Sequence, residues 1–212
     1  MPGYYPAYLD IKEKKCLVVG GGEVAERKVG LLIRCSAKVS VVSPDLTPGL
    51  EKLNSNGGID YVKDEFKEDY LFDVFLAIGA TDKKEINERI YREAKKRNIL
   101  VNVVDSPELC NFIVPSVVER GDLIISISTC GKSPALSKKI REELEDRYGI
   151  EYAKFLNLMG DMRKRISLQI ADKDKREDIY KRLVCSDISD LIRNGDDEAV
   201  KNRVDEIMTE DR

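Results

Sequence analysis

Residues 15–35, KCLVVGGGEVAERKVGLLIRC, constrain this chain more than any other stretch. An apolar run stops at three consecutive glycines, and the residues that follow place Ala25, Val29, Leu32 and Ile33 on one helical face. The spacing predicts strand, tight turn and helix. Gly20, Gly22 and Ala25 fit G-x-G-x-x-A, in which the first glycine makes the turn, the second lets a pyrophosphate reach the backbone, and the alanine allows close packing on the strand. The helix start, through Glu23 and Val24, would offer unpaired N–H groups and the positive end of the dipole. A glycine-rich turn that only packs a helix on a sheet has the same local sequence, so the context must decide.

That context is an alternation. KVSVVS (38–43) reads as a second strand ending at Pro44, 59–62 as a third and VFLAIGAT (74–81) as the next. An amphipathic helix is expected over 83–98, and ILVNVVD (99–105) reads as another buried strand. Strands alternating with helices predict an α/β, Rossmann-type, doubly wound parallel sheet with helices on both faces. Asp45 lies just beyond the second strand, about twenty residues past the glycines, where a ribose-binding carboxylate is expected. Pro44-Asp45 is equally a common turn pair. An acid there would favour NAD over NADP, while Ser43 leaves that choice open. Ser43, Pro44, Asp45 and Thr81 complete the expected cofactor-binding set.

The pattern changes after Asp105. Residues 111–129 read as two strands joined at Glu119-Arg120-Gly121-Asp122, most simply a hairpin. From Ser133 the chain is nearly all helical: 133–149, then 151–167, then two shorter helices to the end. The expected division is a nucleotide-binding domain over 1–113, a small α+β segment over 114–148 and a helical domain over 149–212. SISTCGKSPALSKK resembles a P-loop only superficially, because that motif needs glycine where Ser126 sits inside a strand. Ser133 as helix cap and Pro134 in the first turn explain the local sequence. The same helix start, beside Lys132, Lys138, Lys139 and Arg141, would equally suit a carboxylate-rich ligand. Asp105 has two readings as well: a group at a strand end where α/β proteins keep their chemistry, or a cap on the Ser106-Pro107 turn.

Composition narrows the chemistry. A net charge of −3 gives no general attraction to nucleic acid or to a membrane surface. MPGYYPAYLDIKEKK lacks the features of a signal peptide, and no apolar run is long enough to span a bilayer, so a cytoplasmic protein is expected. The chain has no histidine, and its five cysteines are scattered without a CxxC pair. No metal site is expected, and acid–base work falls to carboxylate, Lys, Tyr, Cys or bound water.

Read together, VVGGGEVAERK (18–28), ATDKKEIN (80–87), NVVDSPELCNFIVPS (102–116) and STCGKSPALSKKIREELE (128–145) closely resemble the precorrin-2 dehydrogenases of sirohaem biosynthesis, free-standing or at the amino terminus of fused sirohaem synthases. The resemblance implies NAD-dependent oxidation of precorrin-2 to sirohydrochlorin by a homodimer whose middle segments interlock. The length suits the free-standing form. The family's essential aspartate falls on Asp105, which becomes the candidate to accept or relay the proton released with the hydride, a role that burial would favour. Asn102, Thr129, Gly131, Lys132, Ser133 and Lys138 are the expected substrate contacts.

Two departures stand out: Cys130-Gly131 replaces a pair of glycines, and Thr129 replaces a serine that is phosphorylated in some members. Some members also insert ferrous iron into sirohydrochlorin. A non-catalytic NAD-sensing module remains the reading from another class, one that leaves the NVVD-x-P and GKSP stretches unexplained.

Overall fold

The run KCLVV forms β1 (Lys15–Val19), buried from Cys16 onward, as expected for a strand covered on both faces. Around it the computed structural model, which describes residues 3–209, assembles a five-stranded parallel sheet. Its further strands are β2 (Lys38–Val42), β3 (Asp60–Val62), β4 (Leu76–Gly79) and β5 (Leu100–Val103), in the order β3-β2-β1-β4-β5. Val18 is the central partner of both Val41 and Ile78. The helices of this part are α1 (Glu23–Arg34), α2 (Pro48–Ser55) and α3 (Lys84–Lys96).

Because successive strand residues point to opposite faces, the sheet has two cores. Cys16, Val18, Val39 and Val41 pack with Ala25, Val29 and Leu50 of α1 and α2. Leu17, Val19, Ala77, Val101 and Val103 pack on the other face with Ile90 and Ala94 of α3. Helices therefore cover both faces, as the alternation predicts.

Local details differ from the sequence reading. β2, β4 and β5 are shorter than 38–43, 74–81 and 99–105, because their last residues turn into loops that carry site groups. Helix α2 is absent from that reading, although Thr47-Pro48 signals it: the Thr47 hydroxyl accepts the Leu50 N–H at 3.3 Å and Pro48 opens the first turn. Short 3₁₀ turns at Glu68–Leu71 and Pro107–Leu109 are absent from it too.

The outer edge of β5 has no strand partner, and Asn111 supplies the missing bonds. Its N–H donates to the Val101 carbonyl (3.0 Å), its Oδ1 accepts the Val101 N–H (2.7 Å) and its Nδ2 donates to the Ile99 carbonyl (2.9 Å). Asn111→Ala would leave a strand N–H and a carbonyl unpaired, and we expect a loss of about 2 kcal/mol in denaturant unfolding. An unchanged midpoint would show that water replaces the side chain.

The chain divides between Val114 and Pro115 into two compact units. The second contains an antiparallel hairpin of β6 (Ser116–Arg120) and β7 (Leu123–Ile127), with Val118 opposite Ile125. Residues 111–115, read as strand from the sequence, precede the hairpin without strand structure. The helices are α4 (Pro134–Arg147), α5 (Glu151–Gln169), α6 (Lys173–Cys185), α7 (Ile188–Asn194) and α8 (Asp197–Thr209). Three helices, not two, follow α5. Asp172 caps α6, while Gly195 in the left-handed region ends α7 and Asp196 opens α8. Residues 210–212, included in the expected helical stretch, lie outside the described residues, as do residues 1 and 2.

Phe155, Met162, Ile166, Ile179, Leu183 and Ile188 form the core of these helices. Glu151, only 6% exposed, receives Arg193 Nε and Nη2 at 3.1 and 2.7 Å, tying the start of α5 to α7. Burial opposes its ionisation, but the Arg193 and backbone hydrogen bonds outweigh that and hold its pKa below the ordinary carboxylate range. A depressed folded pKa adds stability above the unfolded value, near 4.5, and that stability is lost as pH falls through the folded value. Arg193→Met should therefore destabilise this unit by about 2 kcal/mol at neutral pH, and by less in acid. Equal losses in neutral and strongly acidic melts would exclude the ion pair as the cause.

Among the described residues no helix is long and apolar enough to cross a membrane.

Candidate functional site

The strand order reverses between β1 and β4, so the loops that leave β1, β2, β4 and β5 gather at the carboxyl end of the sheet. Gly20 has φ +125°, and a Cβ there would run into the Ala80 carbonyl just past β4. At Gly21 a Cβ would meet the Asp45 carbonyl and the Ser43 hydroxyl. The sequence motif gives Gly21 no role; the fold requires its glycine for the approach of the loop after β2, fixed by Thr47 N–H donating to the Gly21 carbonyl at 2.9 Å.

Gly22 differs from both. It caps α1 with no side chain accepting the first N–H groups, and a Cβ there would have nothing within 4 Å. Open space over a helix start with free donors, including those of Glu23 and Val24, fits the pyrophosphate of a dinucleotide. Ala25 is fully buried against the sheet.

A small pocket at the same end is lined by Gly20, Ser43, Pro44, Phe66, Thr81 and Lys83, among others. Ser43 is buried, and the carbonyls of Ser43 and Pro44 accept from the Tyr61 hydroxyl at 3.0 and 3.3 Å. Thr81 is held by its carbonyl, which accepts Asn87 Nδ2 at 2.8 Å. Asp45 is exposed, with Lys63 at 3.7 Å. Sequence reasoning missed the acids after β3. The Asp64 pKa is held down to about 2 by hydrogen bonds from Lys67 and Tyr70, and Glu65 pairs with Lys83 at 2.7 Å.

Asp105 lies two residues past β5 with φ +57°, a left-handed backbone that Asp tolerates better than most residues. The turn-capping reading of its side chain fails: among the described residues its carboxylate has no hydrogen bond and no ion pair. Backbone bonds close the turn instead, Ser106 N–H to the Val103 carbonyl at 3.3 Å and Leu109 N–H to the Ser106 carbonyl at 2.9 Å. The Cys110 thiol assists, within 3.3 Å of Val103 N and O and 3.2 Å of the Ser106 carbonyl. Burial pushes that thiol's pKa up, which keeps it a neutral structural group. Asp105 itself is exposed, so the burial that would favour its role as a base is absent.

Asn102 donates to the Phe112 carbonyl at 3.1 Å, so its amide holds the same loop.

The remaining expected residues belong to the second unit, in the loop from β7 into α4. The Thr129 hydroxyl accepts the Ser133 N–H at 3.1 Å and contacts Ser137 Oγ at 3.2 Å. Ser133 caps α4, its hydroxyl accepting the Leu136 N–H at 3.2 Å. Cys130 and Gly131 both have positive φ, +52° and +80°, so Cys130 occupies a conformation that suits glycine better. Lys132 is exposed, and Lys138 pairs with Glu142 at 3.8 Å. Among the described residues no three Cys, Asp or Glu side chains are gathered as for a metal ion.

Three family models match in succession: putative NAD(P)-binding over residues 7–116, sirohaem biosynthesis protein central over 120–147 and sirohaem synthase dimerisation region over 151–208. The chain is 35% identical over 201 residues to a siroheme synthase of Photobacterium profundum, covering 95% of this chain and 43% of that one. It is 37% identical over 202 residues to a siroheme synthase of Nitrosospira multiformis, covering 93% and 43%. The chain thus spans about two fifths of the length of these curated relatives.

A solved structure titled "SirC, precorrin-2 dehydrogenase" superposes with a TM-score of 0.79 at 26% identity, covering 97% of this chain and 99% of that one. That coverage extends beyond the glycine-turn sheet to the hairpin and the helices after it. Sheet, hairpin and helical region follow one another as the three models do, and the chain belongs to the family of NAD(P)-binding proteins of sirohaem biosynthesis.

Proposed function

We propose that this chain is an NAD-dependent oxidoreductase that converts precorrin-2 to sirohydrochlorin. The observation that carries the reading is the near end-to-end likeness to the precorrin-2 dehydrogenase structure, supported by a glycine turn with room for a pyrophosphate. Gly20, Gly22, Glu23, Val24 and Ala25 would hold the pyrophosphate at the start of α1, with Ser43, Pro44, Asp45 and Thr81 around the adenosine half. Bound NAD supplies the hydride acceptor. Oxidation breaks a ring C–H bond of precorrin-2, whose electron pair leaves with the hydride, and releases a proton. Asp105, past the carboxyl end of β5 and without an internal partner, is the base that takes or relays it.

Substrate contacts are assigned to Asn102, Thr129, Gly131, Lys132, Ser133 and Lys138; the two lysines suit a carboxylate-rich tetrapyrrole. The domains are taken as 1–113, 114–148 and 149–212. The protein acts as a homodimer, since Leu136, Ile150 and Leu168 are large apolar side chains left exposed on the second unit. Its free thiols fit the reducing cytoplasm.

The test is anaerobic: purified protein, fresh precorrin-2 and NAD or NADP, following cofactor reduction and the sirohydrochlorin spectrum, with ferrous ion added afterwards. Reduction of NAD in preference to NADP is expected. Cofactor binding without reduction would favour the sensing module, and metal uptake would add a ferrochelatase activity.

A further inference from the structure

We infer that the small pocket beside the glycine turn takes the adenine ring of the cofactor, and that Glu65 and Lys83 together read the edge of that ring. The inference rests on the chain binding NAD. In a dinucleotide fold the pyrophosphate lies at the glycine turn and the adenosine half runs towards the end of the next strand, here β2. Gly20, Ser43 and Thr81 line the pocket, which places it next to the pyrophosphate and ribose positions. Val42 and Phe66 line it as well and are otherwise buried, so they give a flat ring an apolar wall.

The rim is polar. Glu65 follows β3, Lys83 follows β4, both line the pocket, and Lys83 Nζ donates to Glu65 Oε1 at 2.7 Å. Each stands on a backbone that is held separately. Asp64 Oδ1 accepts the Glu65 N–H at 2.8 Å, while Asp64 Oδ2 accepts the Tyr70 hydroxyl at 2.6 Å. In the other loop Thr81 Oγ1 accepts the Lys83 N–H at 3.3 Å, and the Thr81 carbonyl accepts Asn87 Nδ2 at 2.8 Å. Lys83 holds the Glu65 carboxyl below the ordinary carboxylate range, so this group only accepts. As an exposed ion pair the two add little to stability. Their mutual bond leaves a carboxylate oxygen and further ammonium protons side by side. Adenine presents the complement along one edge, a 6-amino donor beside a ring-nitrogen acceptor. In hypoxanthine that order is reversed, because the 6-oxygen accepts and the ring N–H donates.

The test is calorimetric titration with NAD and with nicotinamide hypoxanthine dinucleotide, which differs only in carrying oxygen in place of the 6-amino group. The parent protein should bind NAD about tenfold more tightly, the worth of one hydrogen bond to a charged group. In Glu65→Gln, whose amide can turn to suit either base, the two should bind within about threefold of one another, with the melting temperature unchanged. Lys83→Met should weaken NAD several-fold, and ADP-ribose, which keeps the adenine but lacks the nicotinamide, should follow NAD in each protein. Equal binding of the two dinucleotides by the parent protein, or a tenfold preference kept in Glu65→Gln, would overturn the inference. Undiminished NAD affinity in Lys83→Met would overturn the part given to Lys83. A parent protein that bound neither dinucleotide would remove the cofactor reading itself, and the inference with it.

Discussion

Replacing Asp105 by Asn is expected to reduce turnover by on the order of 10²–10⁴-fold, the usual contribution of a positioned general base, with NAD binding and dimerisation retained. Asn is the informative substitution. Asp105 has φ +57°, a conformation Asn adopts readily and Ala does not, so Asp105→Ala would add a backbone penalty of about 1 kcal/mol to any chemical effect. The side chain makes no hydrogen bond or ion pair among the described residues, so the fold should not register its loss. Single-turnover oxidation of precorrin-2, with titration of NAD and a thermal melt alongside, separates the outcomes. Turnover within a few-fold of the parent protein would reject Asp105 as base, and a lowered melting temperature would restore a structural role for the turn.

The glycine turn yields the second large effect, and it should split by position. Gly20→Ala places a Cβ against the Ala80 carbonyl on a backbone at φ +125°, and we expect a loss of about 2–4 kcal/mol in stability. Such a loss lowers the melting temperature of a unit this size by roughly 10 °C or more. Gly22→Ala has open space around the added methyl, so the melt should be unchanged while NAD affinity falls at least about tenfold, because the methyl stands where the pyrophosphate must approach. Calorimetric titration of NAD and thermal denaturation of both variants check this. If Gly22→Ala bound NAD as tightly as the parent protein, the phosphate would not lie over Gly22.

Much of this architecture is local and therefore legible. β-branched runs such as VSVV and the 3.6-residue spacing of α1 and α3 are set by which side chains must be buried, a property read directly along the chain. The hairpin is equally clear from Glu119 to Asp122, where polar turn residues separate two apolar runs. The errors fall where local signals are short. Helix α2 spans eight residues and includes Pro48 and Gly49, and the helices after α5 are separated by two or three residues rather than by long polar loops.

Site residues divide along the same line. Gly20, Gly22 and Ala25 can be assigned from the sequence because their roles depend on backbone geometry within one turn. Gly21 cannot, since its requirement comes from the Asp45 carbonyl on a different loop. Asn102 and Asn111 look alike in the sequence, yet both amides hold the loop after β5, one through the Phe112 carbonyl and the other along the open strand edge.

The sequence by itself determined the parallel α/β sheet, the glycine turn and the position of Asp105 at a strand end, because each follows from periodicity and from residue types within a few positions of one another. Only the tertiary structure decided that Asp105 is not a turn cap, that Gly21 is a packing glycine, and that the Asn111 amide completes the outer edge of β5. Contacts between distant segments depend on how the helices seat on the sheet. That seating is fixed by the two buried faces acting together, which no single stretch of sequence records.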